Sequence, residues 1–355
     1  MTAYWLVFAI MFLLQFIQTN NKKEYLWKLI FTFIPLFLYG AFRINYGYDY
    51  EVYEAFYNVV ERYGIGSVKD EKMEYGYAYL NHIMPSFRCL IIFTTLLTCL
   101  SYIIFFYRLI PSKYTWLAII LLFLTGDKTI FFMFSGIRNA ISISILLLST
   151  PLLEKRKLLP FILTMILASL FHKTALIYFP LAYLCTSNKS FSRKELWIWI
   201  CVYLFLMLFS HSLNKYIEMI TSSLFNDRYE SYLDTAMEIG DNRGILLIIA
   251  NIIMMFPLLI YMRKLNLTEQ ENIYFRLGLL YILSYMMGVF NMRTSHHYML
   301  FYISLVIYIW ANCKKIRFKY AYVGFVILFF IYAFFIVYVN SSTFPYSEYN
   351  SVLFL

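Results

Sequence analysis

Long apolar runs separated by short charged connections dominate the 355-residue chain. The runs lie near 3–19, 26–42, 88–107, 114–126, 134–153, 158–171, 173–186, 195–211, 244–262, 272–291, 296–312 and 320–339. A bilayer-crossing helix needs about 20 apolar residues, so the pattern predicts an all-α polytopic membrane protein with about 12 transmembrane helices. Residues 1–355 read as one transmembrane domain, and 3–19 as a retained helix, because no positive leader or small-residue cleavage site accompanies it. The stretch 158–186, "LLPFILTMILASLFHKTALIYFPLAYLC" with its flanks, is too long for one span and short for two. Two short or re-entrant helices turning near His172 and Lys173 are expected there. Two connections, 43–87 and 212–243, are long enough to fold. Val52, Phe56, Val59 and Tyr63 recur at helical spacing in the first, and Leu213, Ile217, Ile220 and Leu224 in the second. Each predicts an amphipathic helix lying at the membrane–water boundary.

Composition agrees with this reading: 61% of residues are hydrophobic and 14% charged, against about 25% charged in soluble domains. The connections after the first, third, fifth, seventh, ninth and eleventh runs are rich in Lys and Arg, which marks the cytoplasmic side and leaves both ends of the chain outside. Sorting the 30 basic and 20 acidic residues on this topology gives +13 inside and −3 outside, matching the net +10. Membrane insertion thus explains the basic balance without nucleic acid as a partner. The five cysteines lie apart with no metal-ligand spacing, so neither disulfide nor thiol chemistry is indicated.

The polar residues hardest to place in an apolar bundle all fall on the outer half. They are Arg43 at the end of the second run, Arg138 in "SGIRNAIS", His172 in "LFHKTAL", and Arg293, His296 and His297 in "NMRTSHHY" between the tenth and eleventh runs. Ionisable groups at membrane depth usually face a cavity or a partner, so one outer cavity lined by these residues is expected. Arg43 or Arg293 alone could snorkel to the headgroups. Arg138 has apolar sequence on both sides, and even a structural role would demand a buried partner. His296 and His297 point about 100° apart on a helix and make no metal site. Three arginines offer permanently charged forks that match pyrophosphate, and Asp49 or His172 can accept a proton near neutral pH. Asp49 beside arginines would be held ionised and weakly basic, which favours His172. Glu51 and Glu54 read as solvated surface.

The motifs "FRINYGYDYEVYEAF" (Arg43, Gly47, Asp49, Tyr50, Tyr53, Phe56), "EYGYAYLN", "GIRNAI", "FHKTAL", Arg293 with Tyr298, and "FPYSEY" with Tyr346 occur in an order that resembles the EpsG family, similar in role to Wzy polymerases of O-antigen and capsule. Asn139 stands where Gln is more usual after the arginine. The resemblance implies a GT-C-like bundle in the bacterial inner membrane that joins undecaprenyl-pyrophosphate-linked oligosaccharide repeats on the periplasmic or outer face, without a cofactor. It implies Arg43, Arg138, Arg293, Tyr50, Tyr298, His296 and Tyr346 as contacts for pyrophosphate and sugar, with His172 or Asp49 as base. Membrane lipid, a chain-length regulator and a flippase are the partners it implies. A lipid-linked-oligosaccharide flippase or transporter, and a glycan ligase of the same shape, are the alternatives. Transporters spread polar groups along the whole path and often show internal repeats, whereas the charged set here lies on one side.

Overall fold

The computed structural model describes residues 2–66, 73–126, 129–206, 208–209, 249–250, 252–255, 258–259, 267–284, 289–314, 316–339 and 349–352. The chain groups into two compact units, Met1–Pro180 with Phe330–Leu355, and Leu181–Phe329.

In the first unit, α1 (Thr2–Leu13) leads to α2 (Lys22–Ala41). The Asn21 side chain accepts from the Glu24 amide at 2.9 Å and Glu24 accepts from the Asn20 amide at 2.7 Å, a reciprocal cap that fixes where α2 begins. A short strand, β1 (Arg43–Ile44), then precedes α3 (Tyr50–Tyr63) and α4 (Tyr75–Ile83). Ser86 caps α5 (Phe87–Leu109) by accepting from the Cys89 amide at 3.1 Å. The order continues with α6 (Thr115–Leu124), α7 (Ile130–Ser135), α8 (Ile137–Glu154), α9 (Leu158–Ser169) and α10 (Ala175–Cys185), whose last residues belong to the second unit. Helix α5 is the hub, packed on α2 and α8, with α9 against α8 and α1 against α2 and α6. Ser101 donates to Ser144 at 3.2 Å between α5 and α8, small polar glue of the kind that suits helix pairs in lipid. At the far ends of these two helices Arg108 grips Glu154 through two hydrogen bonds, 2.7 and 2.8 Å, and Thr150 at 2.9 Å.

The stretch 158–186 is two short helices, as the sequence implied. The turn between α9 and α10 meets the start of α4, where the Gly76 amide donates to the Leu170 carbonyl at 2.9 Å. The connection 43–87 folds into α3 and α4, but the buried face of α3 is not the expected one. Tyr50, Tyr53, Phe56, Tyr57 and Val60 are buried, while Val52 and Tyr63 are exposed. Tyrosine has an apolar ring with a polar tip. Three tyrosines here join Phe56, Tyr77, Phe87, Leu90 and Ile141 in one core cluster, which outweighs the aliphatic stripe.

Strand β1 pairs antiparallel with β2 (Asn350–Ser351), Arg43 opposite Ser351. Around it the Val352 amide donates to the Phe42 carbonyl at 3.0 Å, and the Tyr349 hydroxyl to the Tyr39 carbonyl at 2.8 Å. Paired strands cannot lie on opposite sides of a bilayer, so the chain between them crosses an even number of times. Ten crossings in the twelve-span reading satisfy that parity; a single helix over 158–186 would break it. Among the described residues Phe87–Leu109, Ile137–Glu154 and Arg317–Phe335 are long and apolar enough to cross a membrane, with shorter apolar helices beside them.

In the second unit residues 193–206 are helical, followed by α11 (Glu269–Ser284) and α12 (Val289–Asn312), which pack on each other, and by α13 (Ile316–Val339), whose last residues belong to the first unit. Helix α12 begins seven residues before the expected 296, so Arg293, His296 and His297 stand on its first turns and not in a connection. The amphipathic helix expected in 212–243 lies outside the described residues.

Candidate functional site

The centre of the candidate site is a carboxylate that the sequence did not single out. Glu74 sits at the N-cap position of α4 and is buried. Its Oε2 accepts from Nη1 of Arg138, one residue into α8. Its Oε1 lies 3.5 Å from Nδ1 of His172 and accepts from the Lys173 amide at 3.4 Å. Three segments far apart in the chain thus meet on one carboxylate: the loop before α4, the start of α8, and the turn between α9 and α10.

Local sequence explains each placement. Gly136 breaks the chain between α7 and α8, so Arg138 emerges at a helix start and not in the middle of an apolar helix. His172 occupies the tight turn that ends α9, its amide donating to the Ala168 carbonyl at 2.9 Å. Gly76 allows α4 to approach that turn: a Cβ there would stand 2.7 Å from both the carbonyl oxygen and the Cβ of Leu170. No other residue type fits without moving the backbone.

The electrostatics follow from the partners. Burial alone would raise the Glu74 carboxyl, but the hydrogen bond to His172 and the charges of Arg138 and His172 outweigh it and hold it down at about 2. The carboxylate is therefore ionised at any physiological pH. Below Arg138 lies the ring of Tyr53, its centroid 5.9 Å from the guanidinium carbon. Tyr77, stacked on Phe56 with centroids 5.8 Å apart, completes the floor. The Arg138 side chain keeps 20% of its surface accessible, against 7% for Glu74 and 5% for His172. Of the three, the arginine is the one that presents itself outward.

Arg43, expected beside Arg138 as a pyrophosphate contact, is wholly enclosed. Its guanidinium donates to the carbonyls of Gly40 and Phe134 and to the Thr95 hydroxyl, and lies 4.8 Å from the centroid of the Phe134 ring. An arginine committed in this way ties α2, α5 and α7 together and cannot also open onto a substrate. Arg88 reinforces the same corner by donating to the carbonyls of Ala41 and Arg43 at 3.2 and 2.7 Å. Tyr50, expected against sugar, is core: it packs edge-on to Phe87 at 5.3 Å. Asp49 is half-buried at the N-cap position of α3, where a carboxylate complements the helix dipole. Gly47, at φ +118°, makes the turn that leads there. In the second unit His297 and Tyr298 are buried and His296 is half-buried; the Arg293 side chain and all of Tyr346 lie outside the described residues. No group of three His, Cys, Asp or Glu side chains that could hold a metal occurs among the described residues.

The site as described unites an accessible cation, a histidine and a buried carboxylate at the start of a helix long and apolar enough to cross a membrane. The motif order noted in the sequence covers the same elements, and a model described as the EpsG family matches residues 25–351. The chain belongs to the EpsG family. That family comprises Wzy-like polysaccharide polymerases, so a polymerase-like role in polysaccharide synthesis within a membrane is the general assignment. All the described elements of this EpsG-family site, Glu74, Arg138 and His172, lie inside the matched range. No curated protein and no solved structure matches the chain. Glu74 itself was visible in the "EYGYAYLN" motif, but its role was not: nothing in a Tyr-rich loop signals a counterion for an arginine 64 residues later.

Proposed function

We propose that this EpsG-family protein joins undecaprenyl-pyrophosphate-linked oligosaccharide repeats on the outer face of a bacterial inner membrane. A hydroxyl of one lipid-linked repeat attacks the anomeric carbon of the growing chain. A glycosidic C–O bond forms, the anomeric bond to pyrophosphate breaks, and the hydroxyl proton passes to His172. Arg138 stabilises the departing pyrophosphate, the group on which most negative charge develops. The observation that carries this reading is the pairing of an accessible arginine with a histidine across one carboxylate. It supplies a charge stabiliser and a base whose separation is fixed by the fold. His172 serves better than Asp49 because it stands in that pairing, while Asp49 stands at a helix N-terminus that favours its ionised form. Arg43 passes from the substrate contacts to the scaffold.

The test is direct. Purified full-length protein in lipid nanodiscs is incubated with one synthetic undecaprenyl-pyrophosphate repeat, and the products are separated by size. A ladder of polymers with release of undecaprenyl pyrophosphate is expected. Unchanged starting material, with repeat moved across the bilayer of a proteoliposome, would replace the polymerase by a transporter.

A further inference from the structure

We propose that Glu74 is the positioning residue of this site: one carboxylate oxygen holds the Arg138 fork and the other faces Nδ1 of His172, so that cation and base are aimed at the same substrate. The inference rests on the polymerase reading for its chemistry and on the geometry alone for its structural content. Among the described residues, Glu74 is a group that meets both partners. Its Oε2 accepts from Arg138, and its Oε1 stands 3.5 Å from His172 Nδ1 and accepts from the Lys173 amide at 3.4 Å. A carboxylate is planar, so fixing one oxygen fixes the direction of the other. The backbone contact between Gly76 and Leu170 locks the carboxylate-bearing helix to the histidine-bearing turn. Among the described residues, the charged or titratable groups facing this carboxylate are Arg138 from α8 and His172 from the turn. Tyr53 from α3 and Tyr77 from α4 lie beside the arginine.

The chemical consequence concerns the histidine. A carboxylate facing Nδ1 favours the tautomer that carries its hydrogen there, which leaves Nε2 as the nitrogen that accepts the hydroxyl proton. This is the logic of a base oriented by a third group. Glu74 neither gives nor takes a proton in the cycle.

Two readouts test this independently. In full-length protein labelled with 15N-histidine and held in nanodiscs, the imidazole shifts report the tautomer; the five histidines are told apart by His172→Ala. Wild-type His172 is expected as the Nδ1–H form when neutral, and Glu74→Gln is expected to change its signals. In the polymer assay, Glu74→Gln should lower kcat at least tenfold with KM for the lipid-linked repeat changed less than threefold. It should also move the acid limb of the pH–rate profile to lower pH, because a neutral amide no longer favours the imidazolium. An Nε2–H tautomer in the wild type overturns the proposal even if the variant does not fold, as does a folded Glu74→Gln protein with wild-type kcat. A wild type that makes no polymer sinks the polymerase reading instead, and the tautomer then still decides the role of Glu74.

Discussion

Two buried arginine–glutamate pairs, one in each compact unit, use the same chemistry to opposite ends. In the second unit Arg276 is fully enclosed on α11. Its Nε and Nη2 reach the Glu195 carboxylate at 2.5 and 2.8 Å, its Nη1 donates to the carbonyls of Ser187 and Asn272, its Nη2 also to that of Lys189, and Phe191 lies 5.3 Å from its guanidinium carbon. All five N–H groups of the guanidinium are spent. In the first unit Arg138 reaches Glu74 while a fifth of its side chain stays accessible, and the same carboxylate faces a histidine. The saturated pair is a fastener for the segment 187–195. The first-unit pair instead leaves part of its arginine accessible. Saturation of donors thus separates a structural ion pair from a candidate functional one, although each places one arginine on a helix against a glutamate.

The largest expected effect comes from removing the unsaturated arginine. Arg138→Ala should cut polymer formation by a factor on the order of 10² to 10³, the range for losing one charge-stabilising donor, and leave cells with single repeats while the protein stays in the membrane. Arg138→Lys, which keeps a charge for Glu74 but not the planar fork, should be nearly as inactive. Arg293→Ala tests the same role for the arginine on α12, with wild-type polymer length removing it from the mechanism.

Arg276→Ala should do the reverse. Breaking a buried pair by removing one partner costs about 3–5 kcal/mol, so the yield of folded protein and its Tm in detergent should fall sharply, while kcat per folded molecule stays close to wild type. A selective loss of kcat there would erase the distinction between the two pairs.

Gly76→Ala is expected to act in between. The new methyl group must displace the Leu170 backbone, and overpacking of this kind costs about 1–3 kcal/mol. Because the displaced turn carries His172, kcat should fall several-fold more than stability does.

The smallest effect is that of pH on stability. Glu74 is held at about 2 in the folded protein and titrates near its ordinary value of 4.5 when unfolded. A lowered folded value contributes stability that is present above about 4.5 and is lost as pH falls toward 2. Thermal unfolding of wild type against Glu74→Gln should therefore show a gap that does not shrink from pH 8 to 5, widening where His172 protonates beside the carboxylate, and that narrows only in more acidic buffer. A gap that closes between pH 8 and 6 would mean the carboxylate is not held ionised by Arg138 and His172.

Much of this was legible in the linear sequence, for physical reasons. Apolar runs report burial in lipid directly, so the helices α2, α5, α8 and α11 fall near their expected positions. The turn at His172 was legible because 158–186 has the wrong length for one crossing and the charges of the later connections favoured two short helices over a flip. Arg138 stood out because apolar residues flank it on both sides, and the demand for a buried partner was correct. Which residue that partner is, Glu74, could not be read, since pairing across 64 residues leaves no local trace. The buried face of α3 was misread because hydropathy counts tyrosine as weakly polar, whereas Tyr50, Tyr53 and Tyr57 bury their rings against α4 and α5. Arg43 was misassigned for a related reason: an arginine at a span end has the same sequence appearance whether it opens to solvent or, as here, satisfies backbone carbonyls.

The pairing of Arg43–Ile44 with Asn350–Ser351 also sets a clock on biosynthesis. The edge that β1 presents is made early, after the second helix, but its partner leaves the ribosome some three hundred residues later. Until residue 351 has been made, the backbone on both sides of Arg43 lacks its match, and closure of so long a loop adds little entropic cost over a shorter one. The corner that carries Arg43, Arg88 and Tyr349 is therefore completed last. A chain arrested or clipped before 349 would hold its helices yet leave that corner unsealed.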